Sequence, residues 1–193
     1  MRAIIMTPVR FCGRHLGGLW RDRSGIAATE FAVIVPLMLV LFFGVVEFSQ
    51  AVAVDRKVTI VARTLPDLVS QNTTVLDAQF TTYFQAGTKI VSPYPAGPLN
   101  QTVSELYVDP NTHTVKVQWS KGYAVRAIGS TVTIPAALAV DGTYLIFSEV
   151  SYLYVPTIGY VMAPSGVNLS DVAYSRPRQS TCVLYNTPAC PTN

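Results

Sequence analysis

The residues that could do chemistry in this chain are few, and one of them stands in an unusual place. Glu30 is the only charged residue between Ile26 and Val46, a run of twenty-one residues. A carboxylate within an apolar helix is costly, so it is usually paired or functional. The alternative interpretation is that Glu30 lies at the headgroup level near a helix N-terminus, where the helix dipole favours negative charge.

The other reactive side chains form no catalytic or metal-binding pattern. His15 and His113 are the only histidines. Neither belongs to a Ser–His–Asp set or to a Cys/His cluster with metal-ligand spacing. The chain also lacks a phosphate-binding loop and a paired-carboxylate motif. The sequence therefore predicts no catalytic residue, no metal site and no cofactor, and an exported enzyme has little support.

The element that must position Glu30 is a long helix. At about 1.5 Å per residue, residues 26–46 span roughly 30 Å, the hydrocarbon thickness of a bilayer. An apolar stripe then continues at spacings of three and four residues. Its members are Ala51, Val54, Val58, Val61 and Leu65. The pattern predicts a membrane-spanning helix that continues as an amphipathic helix through 26–66, covers the chain's own sheet, and ends near Leu65 because Pro66 follows.

Charge is unevenly distributed and predicts the topology. The chain of 193 residues carries 14 basic and 11 acidic side chains. Five arginines precede the apolar run: Arg2, Arg10, Arg14, Arg21 and Arg23. Because basic flanks stay cytoplasmic, residues 1–25 are predicted to be a cytoplasmic leader and residues 67–193 an exported domain. Outside the leader no basic excess indicates a nucleic-acid partner.

Three cysteines fit this topology. Cys12 lies in the leader, on the reducing side. Cys182 and Cys190 lie on the oxidising side and are predicted to form a disulfide, the alternative being two free thiols. A loop this short would contribute roughly 2–3 kcal/mol to stability in the chain-entropy model.

The predicted fold class is α+β, with a long N-terminal helix, one or two further helices and then an antiparallel sheet. The first further helix is predicted at 75–86, with Asn72, Thr73 or Thr74 as its cap and Gly87 as its stop. A loop at 92–100 follows, because it holds three prolines and a glycine.

Strands are predicted at 102–108, 114–120, 144–155, 167–175 and 181–185, with a hairpin turn at 109–112. A short helix is predicted after Pro135. In the second strand Val115, Val117 and Trp119 alternate with polar residues, which predicts that all three share one buried face.

The residues around Glu30 resemble a known family. Gly25 precedes the apolar helix and Glu30 is the fifth residue after it, as in class III prepilins and pseudopilins. More closely, residues 24–55 resemble the TadE-like proteins of tight-adherence (Flp) pilus systems. The matching residues are Gly25, Ala28, Glu30, Phe31, Pro36, Gly44 and Glu47.

The resemblance implies a minor pseudopilin with a pilin-like antiparallel-sheet ectodomain, anchored once in the inner membrane. A prepilin peptidase would cut between Gly25 and Ile26. Glu30 and Phe31 would serve assembly and recognition, with Glu30 pairing to the Ile26 ammonium of a neighbouring subunit. The implied partners are the peptidase, other pilin and pseudopilin subunits, and the inner-membrane assembly platform.

A second element of the resemblance lies late in the chain. Arg176-Pro177-Arg178 resembles a short basic element of TadE- and TadG-type chains. It either docks a partner carboxylate or closes the last strand, and the sequence leaves both open.

Two other functions fit the same N-terminal pattern. The chain could be an uncleaved, membrane-anchored assembly factor or a periplasmic binding module of the TadG-like kind. It could also be an ordinary secreted protein, because Ala51-Val52-Ala53 forms an A-x-A cleavage signal. Against ordinary secretion, the apolar run exceeds the usual ~7–15 residues of a signal peptide.

Overall fold

The structure is a computed structural model that describes residues 24–156, 165–187 and 189–190. The predicted leader, including Cys12, lies outside the described residues except for its last two positions. The chain divides into two compact units, one ending at Val46 and the other running from Glu47 to the C-terminus.

Helix α1 spans Ser24–Ser70. Its predicted end near Leu65 is wrong, because the helix continues through Pro66 for another turn. A proline inside a helix removes one backbone hydrogen bond and crowds the preceding turn. Here tertiary packing offsets that cost, since Pro66, Val69 and Ser70 are all buried. The backbone N–H of Arg178 also donates to the Ser70 carbonyl oxygen at 2.9 Å.

Helix α2 spans Asp77–Val91, which confirms the predicted helix but not its ends. The residue before it is Leu76, whose N–H donates to the Gln79 side chain at 2.9 Å, so none of the predicted cap residues starts the helix. Gly87 does not stop the helix. It is buried where a Cβ atom would approach Gln101 Oε1 to 2.0 Å, so the glycine allows close packing rather than chain reversal.

The sheet has four antiparallel strands in the order β2-β1-β3-β4. The strands are β1 (Leu99–Val108), β2 (Val115–Gly122), β3 (Tyr144–Tyr154) and β4 (Val167–Ser175). A short 3₁₀ helix at Ala136–Leu138 confirms the helix predicted after Pro135. The predicted strand at 181–185 is reduced to one bridge between Thr74 and Leu184. The α+β class is confirmed.

One face of the sheet packs on the second part of α1. The predicted stripe supplies Val54, Val58, Val61 and Leu65, each at most 1% exposed. These side chains form one cluster with Phe80 of α2 and with sheet residues. The sheet members are Leu99, Val103, Trp119, Ile146, Val150, Tyr152 and Tyr154. We call this cluster the inner core, and it confirms that the stripe covers the chain's own sheet.

The opposite face of the sheet holds a smaller cluster, the outer core. Its buried residues are Leu106, Val108, Val115, Val117, Leu145 and Phe147. Partly buried Val132, Ile134 and Leu138 pack against it. Both faces of this sheet are therefore partly covered.

A β-bulge explains why β2 contributes to both cores. Trp119 pairs with Glu105 and Val117 pairs with Leu106, so Gln118 is the extra residue. Because Glu105 and Leu106 are consecutive, their side chains point to opposite faces. The prediction that Val117 and Trp119 share one face is therefore wrong, although both are buried.

The two edges of the sheet differ. The outer edge of β2 is covered by residues 129–132, where Val117 N–H donates to the Ser130 oxygen and Val132 N–H to the Val115 oxygen, each at 2.9 Å. Within the part of the chain that the structure describes, the outer edge of β4 has no strand beside it. There Val172 N–H is satisfied by the Asp171 carboxylate at 2.8 Å.

Candidate assembly and processing segment

The first part of α1 presents apolar side chains in all directions. From Gly25 to Val45 every side chain is exposed except that of Val35, which is half-buried. Phe31 is 68% exposed and Val33 75%. A helix that is hydrophobic all round is normally found inside a larger core or a membrane, and the described residues supply no such core for this segment.

By length and composition α1 is the one described helix that could cross a membrane. Its most apolar window has a mean hydropathy of 2.6 and is wholly unburied within the chain. One such helix indicates single-pass membrane anchoring. Pro36 and Gly44, two residues of the family resemblance, both lie in this span without interrupting the helix.

The Gly25–Ile26 peptide bond lies in the first turn of α1, which begins at Ser24. The first turn is the part of a helix with the fewest backbone hydrogen bonds, because its first four N–H groups have no intrahelical acceptor. Beyond its chain neighbours and the backbone of its own helix, no atom of the described residues lies within 4 Å of where a Gly25 Cβ would stand. The bond is therefore exposed and lies in a segment that unwinds at little cost.

Glu30 follows Ile26 by four residues, so the two lie on the same side of the helix, one turn apart. The Thr29 hydroxyl donates to the Ile26 carbonyl oxygen at 2.8 Å and holds the turn between them. Glu30 is exposed and forms no ion pair with any described residue. Phe31 is the next residue along the helix and is exposed as well.

The predicted disulfide between Cys182 and Cys190 is present, with the two Cα atoms 5.8 Å apart. The segment that it closes is docked on the inner core through Val183. The Val183 N–H donates to Glu105 Oε1 at 2.6 Å, and Trp119 Nε1–H donates to the Val183 oxygen at 2.8 Å.

Glu105 is the most unusual ionisable group in the described chain. Its side chain is fully buried, and Oε2 has no hydrogen-bond partner. Burial raises the pKa of Glu105 to about 8, against the opposing effect of hydrogen bonds from Val183 and Trp119. The carboxyl is therefore largely protonated at neutral pH. No pattern in the sequence distinguishes Glu105, because it occupies an ordinary strand position.

The basic element near the C-terminus contacts the chain's own helix. Arg178 forms an ion pair with Asp67 of α1, close to its backbone contact with Ser70. This contact lies within the chain and ties the residues after β4 to α1, and the alternative of a partner's carboxylate stays a prediction. Arg176 is exposed.

A second polar contact ties the C-terminal segment to α2. Lys121 Nζ lies 2.7 Å from Asp77 Oδ1, and the Tyr185 hydroxyl donates to the same oxygen at 2.8 Å. The hydrogen bond from Lys121, followed by that from Tyr185, lowers the pKa of Asp77. Among the described residues no group of three or more His, Cys, Asp or Glu side chains could hold a metal ion.

Comparison with known proteins gives one match. The model of the TadE-like protein family matches residues 25–64, which confirms the resemblance seen in this segment. No curated protein and no solved structure matches the chain. The match covers the whole unburied segment of α1 together with most of the buried stripe. It indicates a structural role associated with the tight-adherence pilus and with a membrane.

Proposed function

We propose that this TadE-like chain is a minor pseudopilin that a prepilin peptidase processes after Gly25 and that acts structurally in pilus assembly or priming. The observation that carries the proposal is the apolar surface of residues 26–46, which has no partner within the described chain. Lipid would cover this surface before assembly, and helices of other pilin and pseudopilin subunits would cover it afterwards.

The geometry of the first turn supports cleavage between Gly25 and Ile26. A peptidase must bind its substrate in an extended conformation, and unwinding the first turn sacrifices few helical hydrogen bonds. Glycine presents no Cβ to the enzyme. Cleavage would leave the Ile26 ammonium at the start of the helix, one turn before Glu30.

Glu30 would then have a cation to pair with. The ammonium of its own chain lies one turn away on the same side of the helix, and that of a neighbouring subunit could approach the exposed carboxylate. Either pair removes the cost of an isolated charge at the membrane boundary. Pairing with a neighbour would also fix how far one helix is shifted along another, which is the assembly role proposed for Glu30 and Phe31.

The basic leader supports an orientation in the inner membrane with the N-terminus cytoplasmic and residues 67–193 exported. A disulfide between Cys182 and Cys190 accords with an oxidising compartment. In this orientation the folded domain would cap, prime or contact the pilus, while the helix engages the inner-membrane assembly platform.

The first experiment is to determine the N-terminus of the mature protein from membranes and from sheared fibres, by intact mass and N-terminal sequencing. A start at Ile26 is expected. A start at Met1 or Met6 would contradict processing and favour the uncleaved, TadG-like assembly factor. A start at Val54 would mean ordinary secretion and would remove any role for Glu30.

A second experiment addresses Glu30 directly. We expect Glu30→Ala to impair processing or incorporation into sheared pili, because the Ile26 ammonium loses its partner. Asp55→Ala is the matched control, since it removes an exposed carboxylate from the same helix outside the apolar run. Normal processing and normal pilus content in Glu30→Ala would contradict the proposed role.

A further inference from the structure

The outer face of the sheet carries a groove that neither the family match nor the proposed function uses. Its volume is about 540 Å³, within the range of ligand pockets. Strand residues Asn100, Thr102, Glu149 and Ser151 line one part of it, and Tyr123 and Arg126 line another. All of these residues belong to the folded unit that begins at Glu47.

Three small polar side chains form a row across the base of the groove. Asn100 pairs with Ser151, and Ser151 pairs with Ser170 on the next strand. Adjacent strands lie about 4.8 Å apart, so the row places an amide and two hydroxyl groups at regular intervals. Within the described residues these three side chains have no hydrogen-bond partner. They are therefore available to a ligand as uncharged donors and acceptors.

The side of the groove is held in place before any ligand binds. Ala124 N–H donates to the Thr102 hydroxyl at 3.1 Å, and Tyr123 N–H donates to the Gln101 oxygen at 2.9 Å. Arg126 forms two hydrogen bonds with Glu149, of 2.7 and 2.6 Å. Such fixed geometry lowers the entropy that binding would otherwise cost.

The charges of the groove favour an uncharged ligand. The Arg126 guanidinium is already neutralised by Glu149, and a ligand that separated the pair would break two charge-assisted hydrogen bonds. An anionic ligand would face the Glu149 carboxylate, and a cationic ligand would compete with Arg126 for it.

Val172 adds an exposed aliphatic side chain to the site, and Tyr123 supplies its aromatic ring. Tyr123 is 75% exposed, although its backbone is anchored to β1. A flat aromatic ring beside a row of hydroxyl and amide groups matches a molecule with an apolar C–H face and many hydroxyl groups. We propose that this groove binds a neutral carbohydrate, with the sugar hydroxyls on Asn100, Ser151 and Ser170 and the sugar ring on Tyr123.

A polar peptide is a weaker match for the same groove. Extended peptides usually add to the edge of a sheet, where backbone N–H and C=O groups face outward. The groove instead lies on a sheet face, where side chains of separate strands are the only polar groups. The sheet edge with no neighbouring strand among the described residues is the outer edge of β4, whose free backbone groups point along the sheet and not into the groove on its face.

The test uses the full chain in lipid nanodiscs and saturation-transfer difference NMR. Maltohexaose, cellohexaose and chitohexaose are titrated separately, with hexagalacturonate and a Gly-Ser hexapeptide as charged and peptide comparisons. We expect at least one neutral hexasaccharide to bind and to bind more tightly than both comparison molecules. Affinity should fall about tenfold in Tyr123→Ala and about fivefold in the double variant Ser151→Ala/Ser170→Ala.

Two variants control for folding and for the nature of the contact. Tyr123→Phe keeps the ring and should bind within about twofold of the original chain, because stacking needs no hydroxyl. Thr81→Ala removes an exposed hydroxyl from α2 and should leave binding unchanged. The proposal is overturned if no neutral hexasaccharide binds, if the groove variants bind as the original does, or if hexagalacturonate or the peptide binds more tightly.

Discussion

The two parts of helix α1 share one backbone conformation but differ in where their apolar side chains go. From Gly25 to Val45 apolar side chains point in every direction and nearly all are exposed. From Glu47 to Ser70 a single stripe is buried in the inner core, and charged residues such as Asp55 and Arg63 stay outside. The first pattern depends on an environment outside the chain, and the second is satisfied by the chain itself.

The difference shows what hydrophobic periodicity can predict. A stripe at spacings of three and four residues identifies the partner as something on one side of the helix, here the chain's own sheet. A uniformly apolar run identifies only the need for burial. Deciding between lipid and neighbouring subunits takes further features, such as Gly25 and Glu30.

The largest effect expected of a single substitution comes from comparing leucine-to-alanine changes in the two parts of α1. Leu65→Ala should lower the free energy of unfolding of the folded domain by about 3 kcal/mol, because Leu65 is 1% exposed and its loss leaves a cavity. Leu37→Ala should change it by less than about 0.5 kcal/mol, because Leu37 is 62% exposed. Denaturant titration in micelles, followed by tryptophan fluorescence, measures both. Equal losses would mean that the first part also packs on the folded domain.

A second prediction concerns pH, and it applies to the folded unit containing Glu105. Burial raises the pKa of Glu105 from 4.5 to about 8. Between these two pH values the folded state therefore holds a proton that the unfolded state has released. The associated stability is fully present below about pH 4.5 and is lost as the pH rises towards 8. Because one proton is involved, the free energy of unfolding falls by at most ~1.4 kcal/mol per pH unit.

Glu105→Gln tests the assignment of this pH dependence. An amide can accept from Val183 as the carboxyl does, but it does not titrate. The free energy of unfolding of this variant should therefore vary little between pH 5 and 8. A slope equal to that of the original chain would assign the effect to another group.

The smallest expected effect lies at the end of the second part. Arg178→Ala should reduce stability by less than about 1 kcal/mol, because the ion pair with Asp67 is largely exposed and water screens it. Arg176→Ala, a second arginine removed from the same element, should have no measurable effect. The loss in Arg178→Ala should shrink in high salt, and a loss above 2 kcal/mol in either variant would show that the element does more than close the fold.

Local sequence patterns predicted most of the helices and strands, because hydrophobic periodicity or turn residues alone identified each of them. The stripe of α1, the hairpin around 109–112 and the strands β3 and β4 all follow from periodicity and turn residues. The ends of the helices were less predictable. Pro66 and Gly87 are strong stop signals, but tertiary packing outweighs the local preference. Val69 and Ser70 are buried after Pro66, and Gly87 is itself buried against Gln101.

The candidate sites also differ in how far the sequence predicts them. Gly25, Ile26 and Glu30 are close in sequence, so their relation is visible before folding. The groove depends on pairs that are distant in sequence, such as Arg126 with Glu149 and Asn100 with Ser151. Nothing in their local composition distinguishes these residues from other polar residues, and only strand register brings them together.

The β-bulge at Gln118 has a consequence for how this domain can change length. A deletion there would make Val117 and Trp119 consecutive, so β2 would alternate regularly and each side chain would stay in its present core. An insertion elsewhere in the paired part of β1 or β2 would exchange the two faces of every residue beyond it. Natural changes of length should therefore be confined to Gln118 itself, to the turn at 109–114 and to the connection at 123–143, where chain length can vary without transferring Trp119 from one core to the other.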